Sequence, residues 1–212
     1  MVRSKINKGQ INSIKIINLK QNKIIAGVDE VGRGSWIGPV FSAAVILKKN
    51  INTSLLKDSK KISYKKRIRL SKYIKANSFF AIGKASVKEI EEKNILQASL
   101  LSMKRCINKL KIKPNLILID GNKKPNIKNI KMKTIVKGDE KIPSISAASI
   151  IAKVARDKYI KNLSKKFKGY SWDTNFGYGT RKHQDALKKL GVTSHHRKTY
   201  KPIHNILFHL KS

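Results

Sequence analysis

The chain has 212 residues, of which 40% are hydrophobic, and carries 48 Lys and Arg against 12 Asp and Glu for a net charge of +36. Enough apolar residues are present for a packed core. One cysteine excludes an intrachain disulfide and a CxxC metal site, and no apolar run reaches the ~20 residues of a membrane span. The charge directs attention to a polyanionic partner, nucleic acid before membrane, although the abundance of Lys, Asn and Ile also fits a composition bias in the gene.

Residues 1–22 read as a basic N-terminal arm with no secretory signal, and with the lone cysteine this places the protein in the cytoplasm. A strand pattern at 23–28 follows and runs into two adjacent carboxylates, Asp29 and Glu30. Acids are scarce in this chain, and a carboxylate at the end of a buried strand needs a compensating cation. The turn Gly32-Arg33-Gly34 comes next, then a second strand at 40–47. The spacing of Gly32, Gly34 and Gly38 differs from a dinucleotide fingerprint, and a strand follows where that site needs a helix N-terminus.

Helical periodicity at 64–75, a strand at 79–87 and a long helix at 88–110 continue the chain. Glu89, Glu91 and Glu92 suit the positive end of that last helix, and Cys106 sits beside its apolar stripe as a filler. A strand at 115–119 ends in Asp120-Gly121, and a fifth strand is predicted at 133–136. The pair Asp139 and Glu140 precedes a helix at 145–167, with Asp139 read as supporting the site without holding a metal. On that helix Asp157 shares a face with Ala147, Ile150 and Val154, pointing at the sheet. Pairing with Lys153, Arg156 or Lys158 is one account of it; a metal shared with the strand-end acids is the other. From residue 168 the pattern breaks into Gly, Trp and Tyr loops, a short helix at 181–190 and a tail rich in His and Arg. The five histidines lack metal-ligand spacing and read as surface or as neighbours of phosphate. Trp36, next to the glycine turn, is the better candidate of the two tryptophans for stacking on a base.

These elements predict an α/β fold: a mixed five-stranded sheet flanked by helices over 23–167, then a C-terminal loop and helical extension over 168–212. Asp29, Glu30, Asp120 and Asp157 form a candidate four-carboxylate cage for two divalent ions, suited to two-metal phosphodiester hydrolysis.

Six segments run in the order of a known family: GVDEVGRG (27–34), LKDSKKIS (56–63), LILIDG (116–121), KGDEKIPSISAASIIAKVARD (137–157), GYGT (177–180) and HHRKTY (195–200). By these the chain resembles ribonuclease HII, the type 2 ribonuclease H family, over nearly its whole length. It has the Gly-Arg-Gly turn that the related type 3 enzymes lack. The resemblance implies a ribonuclease H-like fold and an endoribonuclease using two Mn²⁺ or Mg²⁺ ions. That enzyme cleaves the RNA strand of RNA/DNA hybrids, and cuts 5′ of ribonucleotides embedded in duplex DNA, leaving 3′-hydroxyl and 5′-phosphate ends. Carried over by motif, Asp29, Glu30, Asp120 and Asp157 hold the metals and catalyse. Gly32, Arg33, Gly34 and Tyr178 read the ribonucleotide junction, and Lys60 and Arg197 contact phosphate. A monomer without membrane association is expected, and the residues leave a sliding-clamp contact open. Ser35 stands where the family commonly has proline, Ser146 where small apolar residues are common, and Thr199-Tyr200 where Ser-Phe is frequent. Two other readings compete: a non-catalytic basic protein that coats nucleic acid, and a different nuclease or integrase on the same fold.

Overall fold

Two strands joined by the turn at 32–38 open the fold. β1 (Ile25–Val31) pairs antiparallel with β2 (Val40–Leu47), setting Gly27 opposite Val45 and Val31 opposite Phe41. The computed structural model describes residues 23–56 and 62–209. A single 3-10 turn at Thr53–Leu56 and α1 (Tyr64–Ala76) lead to β3 (Ser78–Ala85), which pairs antiparallel with β2. α2 (Val87–Asn108) returns the chain to β4 (Leu116–Asp120), parallel to β1, and β5 (Lys131–Ile135) adds in parallel to β4. The sheet order is β3-β2-β1-β4-β5, the mixed five-stranded sheet expected from the sequence. A short α3 (Gly138–Lys141) and the long α4 (Pro143–Lys166) follow, then α5 (Trp172–Asn175), α6 (Arg181–Leu190) and α7 (Lys201–His209).

Strand alternation sorts side chains onto two faces. Ala26, Val28, Ile117 and Ile119 face α2, where they pack on Met103, Cys106 and Ile107. On the opposite face Ala43 and Val45 pack with Ala147, Ile150 and Ile151 of α4, and Ile25 and Leu118 with Ile145. Small residues let α4 lie close: a Cβ on Gly27 would stand 2.1 Å from the Ser144 carbonyl carbon. α4 therefore runs directly over β1, carrying the chemistry-bearing residues of both along one line.

α2 is less regular than its sequence predicts. Asn94 takes φ 66°, and its side chain accepts from the Gln97 N–H, so it ends one helical segment and caps the next. The first segment is pinned separately: Ser86 and Glu89 cap each other's main chain, and Arg105 grips Glu89 at 2.6 and 2.8 Å.

The C-terminal segment is packed on the end of α4. Ile160 and Leu163 join Ile37, Tyr170, Trp172, Leu187 and Ile203 in a buried cluster. The cluster includes Ile37 from the turn after β1, so residues far along the chain brace that turn. Among the described residues no helix is long and apolar enough to cross a membrane.

Candidate active site

β1 and β4 set the first two carboxylates. Val28 pairs with Ile119 in parallel register, so Asp29 and Asp120 follow as neighbours on strands about 4.8 Å apart. Strand alternation puts Asp29 on the same face as Ile25 and Gly27, and Asp120 on that of Leu116 and Leu118, the face covered by α4. Asp29 is 5% exposed. Burial pushes its carboxyl well above the ordinary range and the charges of Glu30 and Asp120 push further, while a hydrogen bond from the Ser149 hydroxyl and one from the Glu30 N–H hold it back. Glu30 is likewise raised by burial; Arg33, 3.2 Å away, opposes this and Asp120 adds to it.

Asp29 and Glu30 are thus both raised, beside Asp120, at the end of two parallel strands. No described group of three or more His, Cys, Asp or Glu side chains is already set around a common metal position. The donor set nonetheless fits a hard divalent cation: it consists of carboxylate oxygens only, buried or half-buried, with Arg33 paired to Glu30.

The fourth acid of the sequence reading lies further along α4. Asp157 is 1% exposed, as its helical face predicts; Lys153 Nζ lies 2.9 Å from its Oδ1, and its carboxylate oxygens are buried without a hydrogen bond among the described residues. It stands eight residues beyond Ser149, the residue that reaches Asp29, which is about 12 Å along the helix. The fold also brings Asp139, read from the sequence as supporting the site, close to Asp120. β5 ends beside Asp120, Lys137 turns the chain through a left-handed conformation, and the Gly138 N–H donates to Asp120 Oδ1 at 2.7 Å. Asp139 follows directly and is buried.

The Gly-Arg-Gly turn is held from beneath by two buried arginines. Gly32 has φ +93°, and a Cβ there would stand 2.3 Å from Arg156 Nε. Arg156 donates through Nη2 to Ser35 Oγ at 2.6 Å and to the Phe176 carbonyl at 3.1 Å. Arg197, read from the sequence as a phosphate contact in a basic tail, is fully buried. It donates to the Gly38 and Arg33 carbonyls at 3.0 and 2.9 Å, and burial lowers it to about 10. Tyr200 also donates to the Arg33 carbonyl. Arg197 is therefore a strut for the turn. Above these supports Gly34 is exposed, with open space where a Cβ would stand.

The loop carrying Tyr178 is strapped to the same turn. The Gly177 carbonyl accepts from the Trp36 N–H at 2.9 Å and from Ser35 Oγ at 3.0 Å, 142 positions away in sequence. Tyr178 lies half-buried with Arg156 and Lys153 against its ring at 5.3 and 5.7 Å. Trp36 is not free to stack on a base. It is half-buried against Gly179, where a Cβ would meet its ring at 2.1 Å, and its centroid lies 5.4 Å from that of His183. His183 and His196 are fully buried, contrary to the surface reading of the histidines. Lys60 and Asp58 lie outside the described residues, as does the arm at 1–22.

The ribonuclease HII family model matches residues 26–207. Ribonuclease HII of Pelagibacter ubique is 65% identical over 185 residues, covering 87% of this chain and all of that protein. Among solved structures, the ribonuclease H2 from Pyrococcus horikoshii superposes with a TM-score of 0.76 at 26% identity, covering 89% of this chain and 99% of that one. The PCNA:RNase HII complex from Archaeoglobus fulgidus gives 0.69 at 28%, covering 84% and 95%.

Proposed function

The chain belongs to the ribonuclease HII family and is a ribonuclease H acting on RNA/DNA hybrids, and from that premise we propose that it also incises duplex DNA on the 5′ side of an embedded ribonucleotide, leaving a 3′-hydroxyl and a 5′-phosphate. The observation that carries this is the strapping of the Tyr178 loop onto the Gly-Arg-Gly turn immediately beyond Asp29 and Glu30. A reader of the sugar and a carboxylate centre then lie on one turn and its strapped loop.

Asp29, Glu30, Asp120 and Asp139 would hold two divalent cations, Mg²⁺ or Mn²⁺. When bound, such ions would supply activation of a water and stabilisation of the leaving oxygen. The chain's own residues do the rest. Burial and mutual repulsion of Asp29, Glu30 and Asp120 keep the site primed for cations. The Gly138 N–H fixes Asp120 Oδ1. The exposed Gly34 main chain approaches the ribose, whose 2′-hydroxyl both donates and accepts. Tyr178 stacks on the sugar at the junction, and Lys60 contacts phosphate. A sliding clamp is a proposed partner, on the strength of the Archaeoglobus complex.

The test is a DNA duplex carrying one ribonucleotide, incubated with divalent metal and with EDTA. Metal-dependent nicking 5′ of the ribonucleotide, with ends that a ligase and a phosphatase identify, is expected. Binding without product, as a coating protein would give, overturns the reading.

A further inference from the structure

Behind Tyr178 lies a polar chain in an otherwise apolar cluster. Trp172 Nε1 is 3.0 Å from His183 Nε2, and His196 Nε2 is 3.2 Å from the same atom. An indole N–H only donates, so His183 Nε2 is an acceptor, and His196 Nε2 must carry the proton between the two rings. His196 Nδ1 is then free to accept, and it does, from the Thr193 N–H at 2.9 Å. His183 must carry its own proton on Nδ1, which faces the Tyr178 carbonyl at 3.0 Å. Every ring nitrogen of the pair is assigned by its partners, and both rings are neutral. Burial lowers both, His196 to about 3, which is consistent with that assignment.

The chain of bonds ends on the main chain of one residue, Tyr178. Its carbonyl also accepts from the Thr180 N–H at 2.8 Å, and its own N–H donates to the Asn175 carbonyl. The His183 imidazole thus ties this peptide group to the buried ring cluster. His183 further packs its ring against Trp36, and Trp36 packs on Gly179 of the same loop.

We propose that His183 and His196 are positioning residues for Tyr178: two neutral imidazoles in series fix the loop at 177–180 and thereby set the preference for an embedded ribonucleotide. This rests on the role given above to Tyr178. The packed, hydrogen-bonded rings give the loop one seat, and a shift of about 1 Å in such a seat is enough to change turnover of a positioned substrate by one or two orders of magnitude.

The test compares two substrates on one protein sample: duplex DNA with a single ribonucleotide, and a uniform RNA/DNA hybrid. The ratio of the two kcat/KM values cancels the fraction of folded enzyme, so a loss of stability alone leaves it unmoved. His183→Leu is expected to lower the ratio by about tenfold or more. His183→Asn, whose amide N–H stands near the place of Nδ1–H, is expected to restore most of it. Should His183→Leu fail to fold, His196→Asn removes the donor to His183 Nε2, leaves an amide oxygen that can accept from the Thr193 N–H, and is expected to lower the ratio by itself. Tyr178→Ala is measured beside them. If Tyr178→Ala leaves the ratio unchanged, the role of the tyrosine fails. If Tyr178→Ala lowers the ratio while the histidine variants leave it unchanged, the tyrosine stands and the positioning role is overturned.

Discussion

Gly138 donates its main-chain N–H to Asp120 Oδ1 at 2.7 Å, joining the end of β4 to the first residue of α3 across 18 positions. The bond orients one carboxylate and brings a second, Asp139, to the same strand end. Asp139→Asn is accordingly expected to reduce cleavage by about a hundredfold or more, as loss of a charged metal ligand does, with hybrid binding retained. Asp157→Asn is expected to keep cleavage within about tenfold and to lower Tm, because it leaves Lys153 half-buried without its partner. Single-turnover cleavage and thermal melting of both variants decide this. A dead Asp157→Asn beside an active Asp139→Asn would reverse the assignment.

Asp29 makes the metal-free protein less stable than its fold requires. Its carboxyl is raised by burial and by Glu30 and Asp120, so the folded chain binds the proton more tightly than the unfolded chain. Stability from this group is present below the unfolded value and declines as pH rises through the raised one. At pH 8 in EDTA, Asp29→Asn should therefore melt higher than the natural protein, by about 2–4 °C if the gain is about 1 kcal/mol. It should also be inactive, and divalent metal should raise its Tm less than that of the natural protein. A lower Tm in EDTA would mean that the carboxylate is stabilised without a cation.

The sequence is a good guide wherever a pattern is local. β2 and α6 have the predicted bounds, and Asp29, Glu30 and Asp120 stand out because a strand ends in them and acids are rare. Asp139 is hidden because it sits between a strand and a helix in a four-residue segment with no periodicity, beside the exposed Glu140. Helical arithmetic places Asp157 correctly on a buried face, yet cannot distinguish an ion pair one turn back from a metal shared with the strand-end acids. Arg156 and Arg197 are illegible for another reason. In a chain with 48 basic residues nothing local marks the two that fold inward. Their burial depends on carbonyls at Phe176, Gly38 and Arg33, which only the fold supplies.

Glu89 governs an acid limb of stability away from the active site. Arg105, with the Ser86 cap, holds its carboxyl at about 2 against an ordinary 4.5. The contribution is complete above the unfolded value and is lost as pH falls through the folded one, so the window lies between about 4.5 and 2. Glu89→Gln should lower Tm at neutral pH by about 2–4 °C, from a cap of about 1 kcal/mol, and flatten the decline between pH 5 and 2. Cleavage at pH 8 should persist. A decline as steep as in the natural protein would assign the acid limb to other groups.

Arg197 offers a way to distinguish a strut from a phosphate contact. Every phosphate neutralised by a basic side chain contributes about 0.9 to the slope of log affinity against log salt. A surface arginine on the backbone of the duplex would therefore take about one unit of slope with it when replaced. Arg197 is fully buried and spends its guanidinium on the Gly38 and Arg33 carbonyls. Arg197→Lys keeps the charge but not the planar fork, so it cannot reach both carbonyls in the same geometry. The variant is expected to lose about 2 kcal/mol of stability, from one or two charge-assisted hydrogen bonds, and to weaken cleavage through a loosened Gly-Arg-Gly turn. Its salt slope should match that of the natural protein. Arg33→Ala, at an exposed side chain on the same turn, provides the comparison. A slope reduced by about one unit in Arg197→Lys, with Tm unchanged, would return Arg197 to the surface of the duplex.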